Sequence, residues 1–262
     1  MACDHRLPLI TTKNAKEKCA FGFSTPVTQA GWEVSRTVKA YDKLMNHLGY
    51  ERYGVQGGDI GAGICGQLCV LAPDRIIGSL INTDSGAIAG PFTPPTDHLS
   101  GDEKAHLQEL KDRVTEGQGY IQIQSTRPQT LAYALTDSPI GQLAWIVEKF
   151  KEWTDPAKEL PEDAVDRDQL LTNVSLYWFT RSGATAANFI YEAAHAHADW
   201  GATHEVPTGF AVFGKDRLVR RVLDPENKMK HWSEFDQGRH FPAMEVPDLL
   251  VGDVRAFFRP LR

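Results

Sequence analysis

The sequence predicts an α/β fold in which a mostly parallel sheet is interrupted by a helical insertion. Two β-prone runs, residues 53–56 and 76–82, flank an apolar helical run that stops at Pro73. Strand, helix and strand in this order are typical of a βαβ unit, whose strands lie parallel. Residues 83–204 then carry charged helical patterns, and an apolar strand pattern returns at residues 206–213.

The remaining elements follow from periodicity. Val34, Val38, Tyr41, Met45 and Leu48 recur at steps of three and four, which predicts an amphipathic helix ended by Gly49. Further helical patterns cover residues 60–71, 102–117, 140–153, 168–179, 185–196 and 247–258, and a last strand is predicted at residues 231–235.

Composition restricts the classes of partner and the compartment. The chain has 262 residues and a net charge of −6 at pH 7, and this acidity argues against nucleic acid as the main partner. The first twenty residues offer no apolar leader and no membrane span, so we expect a cytoplasmic protein. Cys65 and Cys69 are expected to be buried in a helix. No cofactor or metal is predicted, because His195-x-His197 has no partner at ligand spacing.

Gly57-Gly58-Asp59-Ile60-Gly61 is the motif that indicates chemistry, at the turn from the first predicted strand into a helix. It has the pattern of the nucleophile elbow of α/β-hydrolases, with aspartate in place of serine. Its glycines suit a strained turn that has no room for side chains beside the nucleophile. An aspartate held there can attack an electrophilic carbon and form an ester. This favours epoxide or carbon–halogen chemistry over proteolysis.

Hydrolysis of an aspartyl ester requires a base that activates water. We predict His240 for this role, because it follows the last predicted strand at the carboxyl edge of the sheet. Asp216, which follows the strand ending at Phe213, is predicted to orient His240 and to stabilise its charged form. The chain order of nucleophile, acid and histidine is that of α/β-hydrolases. Each residue alone would be read as a solvated histidine or a turn aspartate.

Over most of residues 21–262 the chain resembles the epoxide hydrolases of the microsomal type. The matching stretches are Gln56-Gly57-Gly58-Asp59 and residues 123–130, 135–139, 170–174 with 177–178, 207–213 and 238–245. Ser125-Thr126-Arg127-Pro128-Gln129-Thr130 and Asp137-Ser138-Pro139 separate this family from other hydrolases that have an aspartate elbow.

The resemblance implies a two-step reaction on a small-molecule epoxide. Asp59 opens the ring, and His240, held by Asp216, activates the water that releases a vicinal diol. The family places tryptophan where this chain has Ile60. The backbone N–H of Ile60 is still expected to donate to the oxyanion, whatever its side chain. Loss of the indole weakens the competing haloalkane dehalogenase interpretation.

Family members carry two lid tyrosines that protonate the epoxide oxygen, and Tyr120 matches the first of them. The second aligns with Ile190, beside Tyr191. Adjacent helical residues point about 100° apart, so Tyr191 is expected to replace the missing hydroxyl through a shift of the lid.

The resemblance further implies truncation at the N-terminus. The 262 residues contain no His-Gly-x-Pro stretch, which supplies a second oxyanion donor in the family. We therefore expect a sheet with an apolar edge at the elbow strand, partly covered by residues 7–11 and prone to self-association. Loss of one oxyanion donor costs roughly 10²–10³ in rate. The alternative to an active epoxide hydrolase is thus a catalytically impaired remnant that binds a ligand or a partner chain.

These interpretations divide the chain into four parts. Residues 1–20 stay unassigned, and residues 21–83 form the hydrolase core with the elbow. Residues 84–204 form a helical lid, and residues 205–262 return to the core with the acid, the histidine and the last helix.

Overall fold

Five parallel strands form the sheet of the computed structural model, and their order in the sheet is their order along the chain. The structure describes residues 9–10, 21–24, 27, 29–90, 93–196 and 203–262. The strands are β1 (Leu9–Ile10), β2 (Tyr53–Gly57), β3 (Ile76–Thr83), β4 (Thr208–Phe213) and β5 (His231–Phe235). The predicted α/β fold with a parallel sheet is confirmed.

Helices surround the sheet and fill the connection between β3 and β4. They are α1 (Val34–His47), α2 (Ile60–Leu71), α3 (Gly101–Glu116), α4 (Gly119–Thr126), α5 (Pro128–Asp137), α6 (Pro139–Trp153), α7 (Pro161–Ala164), α8 (Arg167–Thr180), α9 (Ser182–His195), α10 (Arg217–Leu223), α11 (Pro242–Glu245) and α12 (Pro247–Phe258). Two 3₁₀ turns cover Ser85–Ile88 and Arg259–Leu261.

The elbow strand β2 has neighbours on both sides. Leu9 of β1 pairs in parallel with Gly54, and Ile10 pairs with Val55. On the other side, Gly57 at the end of β2 pairs with Ile81 of β3. The edge of the described sheet is therefore β1 and not β2. Residues 7–11 were expected to cover β2 in part, and the two of them that the structure describes, Leu9 and Ile10, do so. Self-association of the chain stays a prediction.

Alternation along β2 separates two apolar layers. Tyr53 and Val55 lie in a buried cluster with Val34 and Val38 of α1 and with Leu68 of α2. Gly54, between the two strand residues, faces the ring of Phe258 in α12 instead. The helices α1 and α2 thus cover one face of the sheet, and α12 covers the other, which fixes the strand ends that carry the candidate site.

The helices between β3 and β4 pack in more than one place. Ala187 of α9 lies in a buried cluster with Leu131 and Leu135 of α5. By contrast, Leu107 and Leu110 of α3 pack against the end of β4 and against α10. The boundaries expected for the lid stay a prediction.

Candidate active site

Asp59 lies at the turn between β2 and α2 with a left-handed backbone (φ 52°, ψ −127°). A Cβ at Gly57 would lie 2.5 Å from the carbonyl oxygen of Gly61, and a Cβ at Gly58 would collide with the side chain of Asn82. The turn therefore accepts no side chain at either preceding position. It exposes 59% of the Asp59 side chain, so the carboxylate is open to a small molecule.

His240 follows β5 and reaches back to this carboxylate. Its Nε2 lies 3.6 Å from Asp59 Oδ2. The Glu245 carboxylate fixes the histidine loop, because Oε1 accepts hydrogen bonds from the backbone N–H groups of Arg239 (3.1 Å) and Phe241 (3.0 Å). The backbone N–H of His240 donates to the Trp153 carbonyl at 3.1 Å. The base is thus attached both to the last strand and to the end of α6.

The carboxylate beside the other ring nitrogen belongs to Asp84. Asp84 Oδ2 lies 3.6 Å from His240 Nδ1, and the Asp84 side chain is 9% exposed. Asp84 directly follows β3 and precedes the first 3₁₀ turn, and its Oδ1 accepts a hydrogen bond from the Gly86 N–H at 2.7 Å. The imidazole therefore lies between two carboxylates from adjacent parallel strands.

The expected pairing of Asp216 with His240 is wrong in this structure. The Asp216 carboxylate contacts His106 of α3 instead, with Oδ2 2.8 Å from Nε2. Its other oxygen accepts from the Leu218 N–H at 2.9 Å and caps α10. Because these contacts with α3 and α10 occupy the Asp216 carboxylate, it does not pair with the imidazole of His240.

Two opposed effects set the charge of His240. Burial lowers the pKa of the imidazole, but the close contacts with Asp59 and Asp84 and the negative charges of both carboxylates raise its pKa to about 10. Burial also raises the pKa of Asp84, yet the contact with His240 and the charges of His240 and Arg239 bring that pKa below its ordinary value. At neutral pH the site therefore holds an imidazolium between two carboxylates.

Tyr120 belongs to α4 and is joined to His240 through the ring of Trp153. Its ring makes an edge contact with Trp153 (5.2 Å between centroids), and the Trp153 ring lies 5.0 Å from the His240 ring. Burial and the negative charges of Asp59 and Glu152 raise the pKa of the Tyr120 phenol. The phenol consequently keeps its proton and can donate it near the nucleophile.

Tyr191 does not take the position of a second tyrosine. Its ring stacks on His195, 4.2 Å away, and 37% of the residue is exposed. Ile190 is the residue that faces inward, since it packs against the apolar cluster that also includes Ile60. The expected substitution by Tyr191 is therefore not realised, because the two neighbours point to different sides of α9.

Ile60 is the first residue of α2, directly after the nucleophile. Backbone N–H groups in the first turn of a helix have no intrahelical acceptor, so that of Ile60 is available by position. Its role as an oxyanion donor stays a prediction.

Three site residues escaped the sequence interpretation: Asp84, Trp153 and Glu245. A signal existed for Asp84, because it directly follows an apolar strand next to the elbow strand. Trp153 ends the helical pattern predicted for residues 140–153, and its position beside His240 depends on a contact across 87 residues. Glu245 lies in the stretch 238–245 that resembles the epoxide hydrolases, but the sequence does not show that its carboxylate accepts hydrogen bonds from the backbone of the His240 loop.

Metal and membrane signals are weak in the described part of the chain. Within it, no group of three or more histidine, cysteine, aspartate or glutamate side chains is arranged to hold a metal ion. His195 Nδ1 interacts with the Tyr191 carbonyl at 2.8 Å, and His197 lies outside the described residues. No helix among those described has the length and apolar character needed to cross a membrane.

Parallel sheet, aspartate elbow and histidine after the last strand define an α/β-hydrolase. Among solved structures, juvenile hormone epoxide hydrolase from the silkworm Bombyx mori matches with a TM-score of 0.72 and 29% identity, over 93% of this chain and 58% of that one. An enantioselective mutant of the Aspergillus niger epoxide hydrolase matches with a TM-score of 0.72 and 30% identity, over 92% and 60%.

Sequence relatives lead to the same family. A putative epoxide hydrolase of Stigmatella aurantiaca is 41% identical over 245 residues, which are 92% of this chain and 54% of the relative. Epoxide hydrolase 1 of Sus scrofa is 31% identical over 262 residues, covering 90% and 57%. No protein-family model matches the chain.

The chain is a homologue of the epoxide hydrolases and has their α/β-hydrolase fold, which confirms the resemblance seen in the sequence. It spans a little over half the length of these relatives.

Proposed function

We propose that this chain hydrolyses a small-molecule epoxide to a vicinal diol through an ester of Asp59. The observation that carries the proposal is the contact between an exposed carboxylate on a strained elbow and the ring of His240, 3.6 Å apart. The names of the homologues support the substrate class. The proposal specifies the substrate only as a small epoxide with an electrophilic ring carbon.

In the first step an oxygen of Asp59 attacks a ring carbon, and the bond from that carbon to the epoxide oxygen breaks. The electron pair stays on the epoxide oxygen, which takes the proton of the Tyr120 hydroxyl. The products are a neutral ester, a hydroxyl on the neighbouring carbon and a Tyr120 phenolate.

Ester formation then changes the charge around His240. The Asp59 carboxylate loses its negative charge, so its share in raising the His240 pKa disappears. The imidazolium gives its proton to the Tyr120 phenolate, directly or through water. His240 therefore becomes a neutral base only after the ester has formed, which is when the second step requires one.

In the second step His240 takes a proton from water, and the hydroxide attacks the ester carbonyl carbon. The backbone N–H of Ile60 stabilises the oxyanion in this proposal. The bond between this carbon and the ester oxygen breaks, and the departing oxygen takes back the proton that His240 had accepted, which releases the diol. The remaining proton returns from the carboxylic acid to His240, which restores the starting carboxylate–imidazolium pair.

A single-turnover experiment with styrene oxide in ¹⁸O-labelled water tests this sequence. Excess protein should form a first diol without label, because its new oxygen comes from Asp59. Proteolysis and mass spectrometry should then find ¹⁸O in the peptide that contains Asp59.

Asp59→Asn is the matched variant, since it keeps the size of the side chain but removes the nucleophilic charge. We expect it to form no diol in the first turnover. Labelled diol in the first turnover would contradict the ester, and absence of diol from the unsubstituted chain would reject the proposed function in favour of a binding remnant.

A further inference from the structure

We propose that Asp84 is the positioning residue for His240 in this chain, and that Asp216, in the position where the family resemblance puts this acid, has a structural role. The catalytic role of Asp84 rests on the proposed function. The pairing of Asp84 with His240 does not, because it is a contact between two side chains.

Each nitrogen of the His240 ring faces a different carboxylate. Nε2 faces Asp59 and Nδ1 faces Asp84, each at 3.6 Å from the nearer oxygen. A histidine that exchanges protons through Nε2 requires its Nδ1–H to be held by an acceptor, which fixes the tautomer and the plane of the ring. Asp84 is the carboxylate that occupies this position.

The surroundings of Asp84 hold it in place as an anion. Gly86 donates its backbone N–H to Oδ1 at 2.7 Å, and Arg239 Nε lies 4.0 Å from Oδ2. Arg239 is in turn fixed by the carbonyl of Glu152, to which its Nη1 donates at 3.2 Å. With 9% of its side chain exposed, Asp84 faces little competition from water for the imidazole.

The order of the strands explains how the acid beside His240 can follow β3, as Asp84 does, instead of β4, as Asp216 does. Thr83, the last residue of β3, pairs with Val212 near the end of β4, so the loops that follow both strands leave the same edge. Parallel strands lie about 4.8 Å apart, within reach of one side chain. β3 is also adjacent to the elbow strand β2, whereas β4 is not.

Asp216 meanwhile has two partners of its own. His106 of α3 and the Leu218 N–H of α10 occupy its two oxygens at 2.8 and 2.9 Å. These contacts join α3 to the start of α10. An aspartate with this pair of partners stabilises local structure without touching the imidazole.

Histidine titration by NMR tests the assignment without any substrate. Among the described residues, the charged groups that face the imidazole are Asp59 from the elbow and Asp84 directly after β3, with Arg239 beside Asp84. The Trp153 ring from α6 is uncharged. We expect Asp84→Asn to lower the pKa of His240 from about 10 by about 1–3. Asp216→Asn should leave that pKa unchanged and move the His106 resonance instead. The nine histidines are distinguished with His240→Gln and His106→Gln.

Rapid-quench kinetics with styrene oxide give the catalytic readout. In Asp84→Asn we expect the ester to form and accumulate, with hydrolysis slowed by about 10²–10⁴-fold. Asp84→Glu should recover part of that rate because it restores the charge. Asp216→Asn should hydrolyse the ester at the rate of the unsubstituted chain.

Asp59→Asn provides a measurement that leaves Asp84 intact, in case Asp84→Asn does not fold. Here Asp84 alone should hold the His240 pKa above its ordinary value of about 6.5. An ordinary pKa in Asp59→Asn, an unchanged pKa in Asp84→Asn, or a lowered pKa in Asp216→Asn would each overturn the proposal. If the chain forms no diol but the titrations behave as expected, the proposed function fails and the Asp84–His240 pairing stands.

Discussion

The backbone of Asp59 (φ 52°) is a conformation that costs a non-glycine residue about 1–3 kcal/mol. Its neighbours make the cost tolerable: Gly57 and Gly58 leave the turn free of side chains, and α2 starts immediately after it. A hydrogen bond of 2.5 Å from Gln56 Nε2 to Asn82 Oδ1 joins β2 to β3 just before the turn. The strain is therefore held by surrounding structure, and it directs the carboxylate towards His240.

A comparison of two tyrosines tests which lid hydroxyl protonates the leaving oxygen. Tyr120→Phe should slow ester formation by about 10²–10⁴-fold, the usual effect of a general acid, because the alkoxide then lacks its proton donor. Rapid-quench measurement of the ester separates this rate from the rate of ester hydrolysis, which should change far less.

Tyr191→Phe is the matched control, because it removes the same atom from a ring stacked on His195 outside the site. It should leave both rates unchanged. Equal losses of ester formation in the two variants would show that Tyr191 reaches the epoxide after all.

Residue identities in the site were predictable to different depths. The elbow pattern alone points to Asp59, and chain order points to His240; the structure brings these two side chains within 3.6 Å. Chain order also selected Asp216 and passed over Asp84, whose carboxylate lies beside His240. Order along the chain does not reveal whether the acid lies in the loop after β3 or in the loop after β4. That depends on whether contacts with α3 and α10 occupy the Asp216 carboxylate, as they do here.

At the scale of elements, α12 lies unusually close to the sheet. Gly54 of β2 faces Phe258, which is 5% exposed, and a Cβ at Gly54 would come within 2.9 Å of three ring atoms. Gly209 of β4 stands in the same relation to Phe257, at 2.9 Å. The absence of side chains at these strand positions lets the two rings pack directly on the backbone.

Two glycine-to-alanine variants should therefore shift stability in opposite directions. Gly54→Ala should lower the free energy of unfolding by about 1–3 kcal/mol, because the added methyl group overpacks a buried ring. Gly66→Ala in α2, where a Cβ meets nothing within 4 Å, should raise it by about 0.5–1 kcal/mol through helix propensity. Urea unfolding measures both, and stabilisation by Gly54→Ala would disprove the close contact with α12.

Elements with a clear periodic pattern were predictable, and five of the described helices were not. The strands β2, β3 and β4 and the helices α1 and α12 follow their predicted ranges closely, since burial on one or both faces fixes their patterns. Among the described helices, α4, α5, α7, α10 and α11 were missed. α4 is rich in glutamine and hydroxyl residues, and α10 spans seven residues, of which three are arginines. Tertiary contacts and an aspartate cap define such helices more than periodicity does.

At the scale of the whole molecule, the site connects segments that are far apart in sequence. Asp59 follows β2, Asp84 follows β3 and His240 follows β5, so the imidazolium joins three strand ends. The parallel order of the strands brings these ends to one edge, and this much was predictable from the βαβ pattern. The charge arrangement at that edge makes the stability of the entire fold depend on pH.

The sign of this dependence follows from the pKa of His240, which is about 10 in the folded chain and about 6.5 in an unfolded one. The folded state holds the proton more tightly, so the stabilisation is complete below about pH 6.5 and is lost as the pH rises through about 10. Asp84 acts in the opposite range: its lowered pKa stabilises the fold above the ordinary aspartate pKa, and this contribution is lost in acid.

Urea unfolding of the unsubstituted chain and of His240→Gln, at pH 7 and at pH 10, isolates the contribution of this one proton. Lysines, tyrosines and thiols titrate in both proteins, and their effects cancel in the difference. Between the two pH values we expect the unsubstituted chain to lose about 1 kcal/mol or more beyond the loss of the variant, because only the former releases the imidazolium proton. If the stability difference between the two proteins stays constant from pH 7 to pH 10, His240 is not held as an imidazolium between Asp59 and Asp84. The return of its proton to Tyr120 after ester formation would then have to be abandoned as well, since that transfer requires a histidine that begins the reaction charged.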